Sequence, residues 1–383
     1  MARVLVIGGG IAGTTTALAL DKAGFDVSVH EAHPDSAEDL GAFLTLASNG
    51  MRALAQIDAS PAVTALGFPL TSMRVLDDTG KELAQAPLGE AGDPLLRYRC
   101  LRRGDLNSAL QAEAARRDIS IRHGARLTSV QEDGTGVTAH FADGGTATAD
   151  VLIGADGLNS TVRQAIAPDA RPLYAGQRVF YGYTGAGPVS AGNAHITMVR
   201  GSEAAFGYAV SPTGETYWFA RVAGDPLPAE AIDQGTPAGW RELLLPSLRK
   251  DSAPAAEIVA ATAEDVLVTN ATELPPGTPW RSGRILLLGD AAHAASPATG
   301  QGASMAMEDA VILAKSLRDA PDTDSALSLY EELRRPRVEH NITVSGNISR
   351  GTHSPSAATR SGAPVRPGED ELVRLLDWNT SIR

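Results

Sequence analysis

One cysteine, Cys100, serves all 383 residues. That excludes an intrachain disulfide and any cysteine-based metal site. Positive charge is also scarce: Lys and Arg number 33 against 45 Asp and Glu, for a net charge of −12. This balance argues against nucleic acid or an anionic membrane surface as a partner. No apolar run approaches the roughly 20 residues needed to span a bilayer. The chain enters a strand pattern at Arg3 and Val4, which argues against a cleavable leader. A cytoplasmic protein without membrane or nucleic-acid partners is expected. Ser-His-Asp sets, phosphate loops of the Walker type and metal-ligand clusters are also missing, so no metal is expected.

What is present begins at the first strand. Val4 to Ile7 is a β-branched, apolar run of the kind that fills a buried parallel strand. It leads into Gly8-Gly9-Gly10-Ile11-Ala12-Gly13 and a helical pattern of small residues. The spacing Gly8-x-Gly10-x-x-Gly13 is a dinucleotide fingerprint. Gly8 permits the tight turn, Gly10 lets backbone N–H groups approach a pyrophosphate, and Gly13 lets helix and strand pack closely. The helix start adds free N–H donors and a partial positive charge. A second strand, Asp26 to His30, ends at Glu31, 18 residues beyond Gly13. An acid there suits a free ribose hydroxyl, as in FAD or NAD, and does not choose between them.

Two further strand-turn units follow, Asp150 to Gly157 and Gly283 to Asp290. Between them, residues 178–223 alternate with aromatics such as Tyr181, Tyr183, Tyr217 and Phe219, the pattern of an antiparallel sheet. Alternation sends about half of these to one face, where they can line a pocket. A helix is expected from Trp240 to Leu245, stopped by Pro246. Residues 351–367 read as a loose surface connection, and Glu369 to Asp377 as a short amphipathic helix.

The stretches VLVIGGGIAG, DVLIGADGLNSTVR at 150–163 and GRILLLGDAAHAASPATGQGASMAMEDA at 283–310, in this order, resemble the group A flavoprotein monooxygenases, the para-hydroxybenzoate hydroxylase type. The resemblance runs over nearly the whole chain. It implies an α/β fold: a Rossmann-like FAD domain of discontinuous segments with an inserted, mostly antiparallel substrate sheet. The expected division is 1–71, 99–170 and 280–350 for the FAD domain, with 72–98 as a hairpin joining the substrate domain, 171–279 as that domain, and 351–383 as a tail.

The resemblance also implies site residues. The glycine loop and Glu31 take the adenosine and pyrophosphate. Arg103, with Arg102 as competitor, contacts the phosphates. Asp290 takes the ribityl chain, although an Asp here also suits a helix N-cap. The loop Pro297, Gly300, Gln301 and Gly302 faces the flavin, its N–H groups stabilising charge on the reduced ring. Asp156 is linked to the cofactors or simply holds its own loop, with Arg163 as a charge partner. His195 and His293 are weighed as acid or base groups, a role that a lone histidine seldom has. Glu308 and Asp309 read as ordinary helix charges. One departure stands out: Ala32 and His33 follow Glu31 where relatives often carry Arg or Lys.

The implied reaction is hydroxylation of an aromatic or polyketide-like small molecule, using NADH or NADPH and O2 through a flavin hydroperoxide. No general base is identified. A flavin reductase or dehydrogenase, or a non-catalytic flavin-binding protein, would use the same cofactor residues. The halogenase signature Trp-x-Trp-x-Ile-Pro is absent.

Overall fold

The computed structural model describes residues 2–36, 41–89, 93–188, 194–263, 266–352 and 369–383. Its centre is a six-stranded sheet in the order Arg281–Ser282, Ile285–Leu287, Val151–Gly154, Arg3–Ile7, Asp26–His30, Ser120–Arg122. All neighbours are parallel except the first pair. Val4 to Ile7 are buried, because the helix Ile11–Lys22 and the strands Val137–Phe141 and Thr146–Ala149 pack into one core with this sheet and leave it no polar side. The helix Ile11–Lys22 is itself buried along most of its length. Its Thr15 and Thr16 hydroxyls donate to the carbonyls of Ile11 and Ala12 at 2.7 and 2.8 Å, which satisfies them inside the core.

A seven-stranded sheet carries the second layer, in the order Val266–Glu273, Leu173–Thr184, Thr216–Ala223, Ala204–Val210, His195–Arg200, Ser72–Asp77, Glu82–Pro87. It is antiparallel apart from the pairing of His195–Arg200 with Ser72–Asp77. Alternation splits its aromatics as the pleat requires. Phe180, Phe206 and Trp218 enter one apolar cluster with Leu244, Leu248 and Ile258, while Tyr183 and Tyr217 pack with Phe43 and Phe68 on the other face. Two three-stranded sheets, built on Leu127–Glu132 and on Phe43–Leu46, complete the β structure of the described residues.

The expected end at Pro246 is corrected: the helix runs Pro237–Leu248 with Pro246 inside it. Burial of Leu244 and Leu248 against the second core outweighs one lost backbone bond in the final turn. The helix Thr323–Ser349 likewise contains Pro336. The expected surface connection falls almost entirely outside the described residues. The closing helix runs Glu369–Leu376.

Candidate active site

A cavity of about 850 Å³ lies between the parallel sheet and the seven-stranded sheet. Its two ends are chemically different.

At one end, Gly8, Gly10, Ile11 and Ala12 line the wall with Glu31. Gly8 has φ +105°, and a Cβ there would stand 2.4 Å from the Ala155 carbonyl oxygen. A Cβ on Gly13 would stand 1.8 Å from the Gly8 carbonyl oxygen, so Gly13 is a packing residue and does not line the cavity. Gly10 is the opposite case. A Cβ there meets nothing within 4 Å, so the helix start opens onto free space. The turn is held from behind by Gln111, whose Nε2 donates to the Gly9 carbonyl at 2.6 Å.

Glu31 accepts from the Gly9 and His33 backbone N–H groups, each at 2.6 Å. A carboxylate has about four acceptor sites, so two remain for ligand hydroxyls. The missing cation after Glu31 has a spatial counterpart: Arg126 lines the same cavity, next to Ala125, whose N–H donates to the Glu31 carbonyl at 2.8 Å. Its position 95 residues later in the chain gave no sequence signal.

Arg103 reaches the cavity from the start of the helix Arg103–Arg116. Arg102 turns away, pairing with Glu215 at 2.9 Å and lying 3.9 Å above the Tyr183 ring. Asp156 also lines the cavity, but its carboxylate is engaged locally by the Ser160 hydroxyl and by the N–H groups of Thr161 and Val162 at 2.7 and 3.1 Å. Burial raises its pKa against those bonds. The expected pairing with Arg163 takes another form. The Arg163 guanidinium is buried and donates to the carbonyls of Ala291 and Leu158, not to the carboxylate.

At the middle of the cavity, Asp290 opens the short helix Asp290–His293 and is exposed to the cavity. Its side chain makes no cap, because Gly289 at φ +60° holds the cap position. Pro297, Gly300 and Gly302 also line this region, with Gly300 at φ +64°. Gln301 does not line it. Its Oε1 accepts from Asn49 Nδ2 at 3.1 Å, which turns the side chain away. The loop is fastened on the other side by Thr299, whose hydroxyl donates to Asn341 Oδ1 at 2.9 Å, and by Ser345, whose hydroxyl donates to the Ser296 carbonyl.

Glu308 and Asp309 are not ordinary surface charges. Both are fully buried. Arg334 bridges them at 2.7 Å each, Arg337 and Asn49 also bind Glu308, and His293 meets Asp309 at 2.5 Å. His293 is thereby absorbed into a structural network, and His195 stands outside the cavity lining. Burial raises both carboxyls, but Arg334, with Arg337 on one and His293 on the other, brings each below its usual range. The sequence placed these acids on a helix but carried no mark of their partners.

At the far end, the sheet supplies Tyr181, Phe219, Ile196 and Met198, an apolar wall suited to a flat ring. Burial pushes the Tyr181 hydroxyl up to about 12, so it is a neutral donor. Among the described residues no cluster of His, Cys, Asp or Glu is arranged to hold a metal, and no helix is long and apolar enough to cross a membrane.

An open helix start beside an acid is the arrangement of a dinucleotide-binding protein, and here it is continuous with an apolar compartment. The comparisons sharpen that class. A family model described as an FAD binding domain matches residues 1–345. The chain is 30% identical to aurachin C monooxygenase/isomerase of Stigmatella aurantiaca, over 91% of this chain and 88% of the relative. It is 32% identical to 6-hydroxynicotinate 3-monooxygenase of Pseudomonas fluorescens, over 88% of each. HpxO of Klebsiella pneumoniae, solved with FAD and uric acid, superposes with TM-score 0.81 at 26% identity, covering 99% of this chain and 93% of that one. The chain belongs to the FAD-dependent monooxygenase family of the para-hydroxybenzoate hydroxylase type. It is an FAD enzyme with the fold of that family, and the reductase and accessory-protein readings lose their ground.

Proposed function

We propose that this protein hydroxylates a small aromatic substrate with NAD(P)H and O2, in a cytoplasmic setting. The observation that carries the reading is the single cavity running from the open space at Gly10, past Asp290 and Pro297, to the ring-sized wall of Tyr181 and Phe219. Bound FAD supplies the redox chemistry, taking hydride from NAD(P)H and activating O2.

In this reading the chain does the rest. The helix start at Gly10, Ile11 and Ala12 takes the pyrophosphate, with Gly8 and Gly13 setting its geometry and Arg103 adding charge. The two free acceptor sites of Glu31 take the ribose hydroxyls. Asp290 accepts from the ribityl hydroxyls. Pro297, Gly300 and Gly302 would form the rim at the flavin ring, where backbone N–H groups would stabilise negative charge, while Gln301, expected there from the sequence, is held away by Asn49. Asp156 sets the loop beside the dinucleotide through its own backbone contacts. Tyr181, Phe219, Ile196 and Met198 orient the substrate and keep water out. The six-segment division stated above belongs to the same proposal.

The test uses the FAD-loaded protein, NADH and NADPH in turn, and 18O2. The panel contains the relatives' substrates, 6-hydroxynicotinate, urate and 3-amino-4-hydroxybenzoate, with related phenols. Expected is substrate-stimulated NAD(P)H oxidation with one 18O atom in the product. Product formed without label sinks the reading.

A further inference from the structure

The loop from Ser296 to Gly302 is held from two sides. Ser296 and Thr299 are tied to the helix Thr323–Ser349 through Ser345 and Asn341. Beyond Thr299 the fastening changes. Gly300 and Gly302 carry no side chain, so Gln301 is the one side chain between Thr299 and the helix Gly302–Asp319. Its Oε1 is held by Asn49 Nδ2, 252 residues away in the chain.

Asn49 sits in the first turn of the helix Ser48–Gln56. The same Nδ2 donates to Glu308 Oε1 at 2.6 Å. Glu308 is buried and ionised between Arg334 and Arg337, so it can only accept. That fixes the Asn49 amide with its NH2 toward the carboxylate. The second N–H is then free for Gln301, which must present its oxygen. One neutral amide thus joins a buried ion cluster to the loop that lines the cavity at Gly300 and Gly302. The two helix starts also meet directly. The Ala47 N–H donates to the buried Ser304 Oγ at 3.1 Å, and a Cβ on Gly50 would stand 2.8 Å from that oxygen. This contact holds the helices together without Asn49, and Glu308 keeps its two arginines. The Asn49 link therefore bears on Gln301 and its flanking glycines.

We propose that Asn49 is a positioning residue for the flavin rim: through Gln301 it sets where the N–H groups of the Gly300–Gly302 segment point, and so sets the reduction potential of bound FAD. Donors aimed at developing negative charge favour the reduced ring, and misaligned donors lose that effect steeply with angle. This inference rests on the FAD-rim reading above. It concerns the balance of oxidised and reduced cofactor, not oxygen transfer.

The experiment measures the midpoint potential of bound FAD by dye-linked reduction, without oxygen or substrate. Asn49→Leu and Gln301→Met each cut the link. Each is expected to lower the ratio of reduced to oxidised FAD at a fixed potential about tenfold, a fall of about 30 mV in a two-electron midpoint. The double variant should fall no further than either single one, because both changes break the same link. Leu244→Ala opens a void in the second core, on the sheet face away from the cavity, and should lose stability with the potential unchanged. Four results would each overturn the proposal: unchanged potentials in the single variants, additive shifts in the double variant, an equal fall in Leu244→Ala, or loss of FAD from both single variants. Should Asn49→Leu not fold, Gln301→Met against native protein decides. A protein that shows these shifts but leaves no 18O in its product loses the hydroxylase reading alone. One that hydroxylates with unshifted potentials in the variants loses this inference alone.

Discussion

Gly8, Gly10 and Gly13 share one motif but answer to different forces. Gly8 needs its positive φ and its contact with the Ala155 carbonyl, and Gly13 needs contact with Gly8 itself. Gly10 has an ordinary φ of −74° and free space beyond it. Gly13→Ala is therefore expected to lower the stability of the FAD-free protein by about 3 kcal/mol, seen as a drop in its melting temperature. Gly10→Val should change that stability by no more than about 1 kcal/mol, yet abolish FAD retention, because its side chain fills the space a pyrophosphate would take. Purified Gly10→Val that stays yellow at full flavin occupancy would refute the assignment. At this scale the motif was readable because its spacing is local. The choice of Arg103 over Arg102 and the presence of Arg126 needed the folded chain.

The helices Gly302–Asp319 and Thr323–Ser349 are locked by the Glu308, Asp309 and Arg334 cluster. Breaking a buried ion pair from one side leaves charge unpaired and costs about 3–5 kcal/mol. Arg334→Met should lose that much in urea unfolding, with two acids left behind. Both carboxyls have lowered pKa values in the folded state. Their stabilisation is therefore present above the ordinary carboxylate range and lost as pH falls through and below it. Without Arg334 burial raises the two acids, so acid unfolding should begin at a higher pH than in the native protein. Unfolding curves at pH 3 to 6 check the order. That Glu308 and Asp309 lie on a helix was legible in the sequence. The ion cluster was not, because its members lie about 25 residues apart and a charge on a helix looks the same from sequence whether it faces water or a partner. Pro246 shows the reverse limit: local propensity named a stop that packing overrode.

At the scale of the whole molecule, residues 375–378 are tied to the helices Gly302–Asp319 and Ser48–Gln56. Lys315 Nζ donates to the carbonyls of Leu375 and Asp377, both at 2.5 Å, and Arg318 Nη1 to that of Trp378 at 2.8 Å. The Trp378 N–H in turn donates to Gln56 at 2.8 Å. Burial lowers the Lys315 pKa from 10.5 to about 8. Between those values the unfolded chain binds the proton and the folded chain does not, so stability gains with rising pH. Below pH 8 both states carry the charge and its burial penalty stands in full. Unfolding free energy of native protein relative to Lys315→Met should thus rise from pH 8 toward 10.5, and a flat difference across that window would contradict the assignment.

What the amino-acid order determined by itself is whatever depends on neighbours along the chain: the strand, glycine turn and helix at the start, Glu31 at its spacing, the alternating sheet, and the three separated motifs that mark an FAD monooxygenase. Only the tertiary structure decided which of those groups share a space. It brought Asp290 within one cavity of Gly10, gave Arg334 to Glu308 and Asp309, and turned Gln301 away. The reason is physical. Spacing and periodicity are properties of the backbone, whereas desolvation, charge pairing and open volume depend on what the rest of the chain packs against each side chain.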